Sequence, residues 1–402
     1  MKKNKKERKD HFIVEEELLN IPEEEIYSYQ VEGLAAPHIN KPYSNYKLKK
    51  VIFVLVIIVA VSLSMYFSVR VVHKETFEYA PMESGTYELQ KFSNTGYIRE
   101  LTVDFASEIE YDKNITDPEK NFTVVPDKSK PVTKIKEYAF NCDGALETVY
   151  IGKDVTDIDG KAFYSCWALK AIEVDENNPV YCDIDGVLYS KDKKTVICYP
   201  CDHDRYLREK YGYAEELFAD NEDTELFAKY RKEVMTYVVP STVETVGELC
   251  FNYSNLADVY LPDGLRTIET LGFFEMPNLA GIYTYVADSA VELTDITAVD
   301  GKEIYLSLPE GLEYIGSDAF SYNQAMTYVY IPSSVTYIGH HAFWDTVYSK
   351  DGELAGLAQI DVALDEETFK SKVETGDQWI PQHDKNLLRR RGVVYGVERK
   401  AK

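Results

Sequence analysis

Basic residues are in deficit. The chain has 44 Lys+Arg against 68 Asp+Glu, a formal net charge of −24 over 402 residues. Neutralising phosphates requires a Lys/Arg surplus, so nucleic acid is excluded as a partner. Catalytic signatures are missing as well. There is no G-x-S-x-G, no H-E-x-x-H and no phosphate loop. The seven His are scattered: three fall at or before residue 73, His203 follows a C-x-x-C, His340-His341 sit in a turn, and His383 lies near the C-terminus. Acid pairs such as Asp183/Asp185 have glycosidase chemistry, but nothing in the sequence sets the ~5–9 Å separation that mechanism needs. No catalytic residue and no cofactor is therefore assigned. Apolar mass is ample, with 45% hydrophobic and 13% aromatic residues, so wholesale disorder is excluded.

The acidity belongs to the middle of the chain, between two ends that are not acidic. One segment carries no charge at all. Residues 51–69 read VIFVLVIIVAVSLSMYFSV. As a helix that run spans about 28 Å, close to the ~30 Å hydrocarbon thickness of a bilayer. Lys41, Lys47, Lys49 and Lys50 precede it, whereas Arg70 and Lys74 on the far side are diluted by Glu75, Glu78 and Glu83. Positive-inside bias puts the N-terminus in the cytoplasm and everything after residue 70 outside. Fifty residues precede the run and no small-x-small site follows it, so an uncleaved signal anchor is expected.

Beyond the anchor the sequence repeats. VTKIKEYAFNCDGALETVYI (132–151) aligns with VTDIDGKAFYSCWALKAIEV (155–174), shifted by 23. LEYIGSDAFSYNQAMTYVYI (312–331) and VTYIGHHAF (335–343) are again 23 apart, with weaker copies at 243–261 and 265–283. In each unit V-x-x-I reads as a short strand, A-F as a helical or turn segment packing onto it, and L-x-x-V-x-I as a second strand. One unit cannot bury its own apolar face, so the units must stack.

These units resemble the BspA-type bacterial surface leucine-rich repeats, whose pattern is roughly V-x-x-I-G-x-x-A-F-x-x-C-x-x-L-x-x-V-x-I-P. Cys166 matches the Cys; Asp143, Ser254, Met276 and Asn323 replace it elsewhere. Residues 175–200, with N-P-x-Y and D-G-V-L-Y-x-K-D, resemble that family's interruption hairpin. The resemblance implies an α+β leucine-rich-repeat solenoid of surface-binding or adhesion type, and no catalytic residue carries over. The expected organisation is a cytoplasmic stub (1–48), a transmembrane helix (49–72), a linker and cap (73–125), the solenoid (126–362) and a C-terminal helix with a basic tail (363–402). Within the solenoid lie the hairpin (175–200) and a charged helical insert (203–236). RELTVDF at 99–105 reads as a degenerate capping strand.

Two features are candidate sites. Cys198-Tyr199-Pro200-Cys201, with Cys182 and His203 nearby, admits a zinc site on ligand type alone, a redox pair, a local disulfide or plain structural cysteines. The position of Cys198 at the end of a hairpin strand favours the structural reading. The second is a tyrosine column. Between the inward V and I of L-x-x-V-x-I, the outward position reads Tyr150, Glu173, Tyr260, Tyr283, Tyr305, Tyr330 and Asp361, with Tyr328 in the next outward column. Such a ladder is either good strand packing or an aromatic, acidic binding face. The leading expectation is a membrane-anchored binder of a protein, peptide or glycan. The alternative is a structural or regulatory partner of a cell-envelope complex, acting through its stub and transmembrane helix.

Overall fold

The V-x-x-I and V-x-I signals become two parallel strand ladders. A computed structural model describes residues 75–398, apart from 95, 113, 116, 118–119, 142, 214–223, 287–304, 345, 351–352 and 381–391. The expected stub, membrane helix and basic tail fall wholly or mostly outside the described residues. Among the described residues no helix is long and apolar enough to cross a membrane. They belong to one unit, His73–Lys402, built mainly of strands.

The long-strand ladder comes in two runs. Glu100–Val103 pairs with Thr148–Ile151, which pairs with Ala171–Val174. Glu100–Val103 thus sits where a capping strand was expected. The second run orders Thr236–Val238, Asp258–Pro262, Gly281–Tyr285, Tyr305–Ser307, Tyr328–Ile331, Gln359–Val362 and Gly392–Tyr395. This ladder continues past residue 362. The short ladder stacks two-residue strands such as Thr267–Ile268, Tyr314–Ile315 and Tyr337–Ile338.

The A-F segments between the ladders are turns, not helices. Their backbone bends through left-handed residues two before the Phe, as at Leu249, Leu271, Asp318 and His341. The turn aims each Phe into the core, where the rings stack. Phe251, Phe273, Phe320 and Phe343 follow one another at 4.9, 5.3 and 5.3 Å between centroids, with nearly parallel planes. Phe140 and Phe163 repeat this at 5.2 Å in the first run. Each turn is tied to the next by backbone bonds at alternate residues: Leu249, Phe251 and Tyr253 N–H donate to Thr270, Gly272 and Phe274 O, and the pattern recurs with Phe273 to Ala319 and Phe320 to Ala342.

The interruption is spliced into this scheme. Asp185-Gly186, both at positive φ, closes the hairpin Tyr181–Ile184/Val187–Ser190, as a D-G turn requires. Asn178 of the N-P-x-Y motif is buried and clamps the entry. Its Nδ2 donates to Gly152 O and Val155 O, and its Oδ1 accepts from Val180 and Tyr181 N–H. Thr195–Cys198 then joins the short ladder in parallel with Thr245–Val246. Tyr199 takes the Phe position: its N–H donates to Cys250 O, and its ring lies 5.5 Å from Phe251.

The charged insert folds as two helices, α1 (His203–Tyr211) and α2 (Thr224–Val234). A third helix, α3 (Glu366–Lys372), starts at Asp365, whose carboxylate accepts from Thr368 N–H at 2.9 Å. Among the described residues the helices are few; the fold is a strand-and-turn solenoid.

Candidate binding faces

The strand register decides which outward side chains meet. Thr102, Tyr150 and Glu173 are paired neighbours across the first run. Tyr150 is half-buried and Glu173 exposed. They open into a cleft of about 450 Å³ that Asp104, Lys153, Asp154 and Asp175 also line. Burial, with Asp183 and Glu100 nearby, raises the Glu173 carboxyl, and burial with Glu173 and Glu100 raises the Tyr150 phenol. The cleft therefore offers a ring face, a hydroxyl and several carboxylates.

In the second run the column breaks. Tyr260 pairs with Tyr283 and their rings stack at 4.9 Å. The next pairing is Ile282 with Leu306, which sets Ser307, not Tyr305, in that column. Tyr305 instead pairs with Tyr328, one outward column over. The reason is core filling: Leu306 and Leu308 are both fully buried and take the inward positions. A two-residue slip leaves every side chain on its own face, so alternation alone does not reveal it.

The column is also less open than a binding face needs. Tyr260, Tyr330 and Asp361 are only 7%, 3% and 7% exposed. Asp361 accepts from Gln359 Nε2 beside it. Near Tyr260 the cover is visible. Arg231 of α2 forks onto Asp258, Nε–Oδ2 at 2.6 Å and Nη2–Oδ1 at 3.0 Å, with the carboxylate wholly buried. Tyr283 folds back toward the same carboxylate across Gly281, where a Cβ would stand 2.5 Å from its ring. In the second run Tyr260 and Tyr283 thus serve to seat α2. The open members of the set are Tyr150 and Glu173, with Tyr283 and Tyr328 half-buried.

The cysteine constellation does not assemble. Cys182 lies on the outer hairpin strand, its Sγ directed at Ser190 O at 3.4 Å. Cys198 and Cys201 are buried free thiols, as are Cys166 and Cys250, and burial raises the thiols of Cys198, Cys201 and Cys250. His203 is buried with Nδ1 2.8 Å from Lys170 O, and burial lowers it to about 4. Among the described residues no three His, Cys, Asp or Glu are arranged to hold a metal. Cys142 lies outside the described residues.

One surface escaped the sequence reading. The residue one or two after each Phe is aromatic in five units: Tyr164, Tyr253, Phe274, Tyr322 and Trp344. Along this turn edge Tyr164 meets Tyr253 at 6.1 Å, Tyr253 meets Phe274 at 6.0 Å, and Phe274 meets Tyr322 at 5.5 Å. The signal is absent after Phe140 and elsewhere alternates between two offsets, so it breaks no periodicity rule.

The repeat architecture agrees with a family model. Six copies of the BspA-type leucine-rich-repeat region match residues 120–182 and 223–350. The repeat array of this chain is a BspA-type leucine-rich-repeat region. Comparison with curated proteins gives no match. Among solved structures, a leucine-rich-repeat protein from Eubacterium ventriosum is 18% identical with a TM-score of 0.35; the match covers 57% of this chain and 48% of that one. This chain thus spans about half of that relative. The pneumococcal vaccine antigen PcpA is 15% identical, TM-score 0.32, covering 75% and 96% of the two chains. A leucine-rich-repeat protein from Bacteroides ovatus is 14% identical, TM-score 0.30, covering 76% and 67%. Likenesses this weak carry no functional weight.

Proposed function

We propose that this is a single-pass cell-surface protein that binds a protein, peptide or glycan through its repeats and performs no chemistry. The apolar run 51–69 with its Lys flank supports an anchor with the N-terminus in the cytoplasm and the repeats outside. A BspA-type repeat array points to binding or adhesion. The observation that carries the reading is the open cleft at Tyr150 and Glu173, neighbours in register on the sheet face. A phenol ring gives stacking area at low entropic cost, and carboxylates accept hydrogen bonds from hydroxyl or amine donors.

The test is a screen of the full chain in detergent micelles against glycan and protein arrays, followed by Tyr150→Ser and Glu173→Gln. Both variants should lose the ligand and keep the melting temperature. Retained binding in both would move the site off this cleft.

A further inference from the structure

The turn edge holds a second concave site, separate from the sheet face. Counting from each Phe position, Trp167, Asn255 and Pro277 are four residues on; Cys201, Tyr253 and Glu275 are two residues on. These six, with Asp202, line a cleft of about 340 Å³. Its shape follows from the interruption. The unit between Trp167 and Tyr253 contributes Cys201, small and buried, so the two rings close over it at 4.3 Å with planes 53° apart. Trp167 is 50% exposed and continues the aromatic edge of Tyr164, Tyr253, Phe274 and Tyr322, so the exposed apolar surface here is contiguous.

The charged residues that line this cleft share one sign. Glu275 and Asp202 are the charged lining residues. Asp202 is held by Arg205 at 2.8 Å. Asp204 stands behind, accepting from Asn255 Nδ2 at 3.2 Å and bridged by Arg208 at 3.4 Å, which leaves Glu275 as the carboxylate of the cleft with no cation partner among the described residues. Burial, with Tyr164 and Glu275 nearby, raises the Tyr253 phenol, which stays protonated. Ring faces and carboxylates both attract a cation, and the rings add a desolvated wall. A neutral sugar would use the rings but not the charge.

We infer that the Trp167–Tyr253–Glu275 cleft is a docking site for a Lys or Arg side chain of a basic polypeptide segment. The cation sits against the indole and pairs with Glu275, while its aliphatic stem lies along Pro277. The net charge of −24 draws such a segment from a distance. The cleft then selects it locally.

The experiment uses the full chain in detergent micelles and a fluorescein-labelled decapeptide of alternating Lys and Gly at ~150 mM salt, where diffuse attraction is screened beyond about 8 Å. The comparators are a Glu/Gly decapeptide and a cello-oligosaccharide. Trp167→Ala should weaken binding of the Lys peptide about tenfold, Glu275→Gln several-fold, and Trp167→Phe less than Trp167→Ala. The peptide should also shift tryptophan emission in the parent and not in Trp167→Phe. All three variants alter partly exposed side chains, and unchanged melting curves verify the fold. Equal binding by parent and Trp167→Ala would mean diffuse charge attraction only, and overturns the site. Quenching of Trp167 by the oligosaccharide and not by the Lys peptide would overturn the ligand class.

Discussion

Phe320 sits in the middle of the ring stack, which makes it the sharpest probe of the solenoid. Its side chain is fully buried, with Phe273 on one side at 5.3 Å and 4° and Phe343 on the other at 5.3 Å and 1°. Truncating a buried Phe to Ala costs about 3–5 kcal/mol through lost transfer energy and the cavity left behind. Each stacked aromatic pair adds ~0.5–1.5 kcal/mol beyond its buried area. With two such partners, Phe320→Ala belongs at the top of that range. Phe163 has one stacked phenylalanine neighbour, Phe140, and is 4% exposed, so Phe163→Ala should fall near the bottom. Urea denaturation of the full chain in micelles, followed by far-UV circular dichroism, gives both values. Hydrogen exchange shows where the loss goes. Stability in stacked units passes between neighbours, so protection should fall most in residues 267–343 and least in 132–151. Equal losses for the two variants, or an even loss of protection along the chain, would refute the ladder as the carrier of repeat-to-repeat coupling.

Other outcomes follow from single contacts. Tyr199 fills the Phe position but its buried hydroxyl has no hydrogen-bond partner among the described residues; Tyr199→Phe should therefore raise stability by about 1 kcal/mol, and a loss in the same urea titration would reveal a hidden partner. Asp258→Asn leaves Arg231 half-buried without its charge partner, so it should cost roughly 3–5 kcal/mol and deprotect α2 in hydrogen exchange before the strand ladders; an intact α2 would show that the ion pair does not seat it. Burial lowers His203 to about 4, below its unfolded value of about 6.5, so its contribution is present above pH 6.5 and fades as pH falls toward 4. Asp202, raised to about 6 by burial, works in the opposite direction. His203→Gln should thus remove about 2 kcal/mol of the stability difference between pH 7 and pH 5, and an unchanged difference in urea midpoints would show that His203 is not the acid-sensitive group. Protease added outside intact cells should digest the repeats and spare a fragment ending near residue 70; protected repeats would reverse the proposed topology.

The sequence by itself determined the repeat. Val, Ile, Ala, Phe and Leu recur at fixed offsets because each unit must bury the same few side chains against the next, and such a requirement is written in one dimension. Asn178 and Asp185-Gly186 announced the hairpin for the same reason, since their work is local. Tertiary structure alone decided the register after residue 286. Leu306 and Leu308 fill the core two residues out of the expected step, which preserves alternation and is invisible to it. The same holds for exposure. Alternation marks Tyr260 and Tyr330 as outward, but only packing settles whether an outward residue meets water or another part of the chain, as α2 covers Tyr260 through Arg231. The Trp167–Tyr253 cleft has the same origin: its two rings are 86 residues apart in the chain, and they meet because the small Cys201 of the intervening unit lets them close.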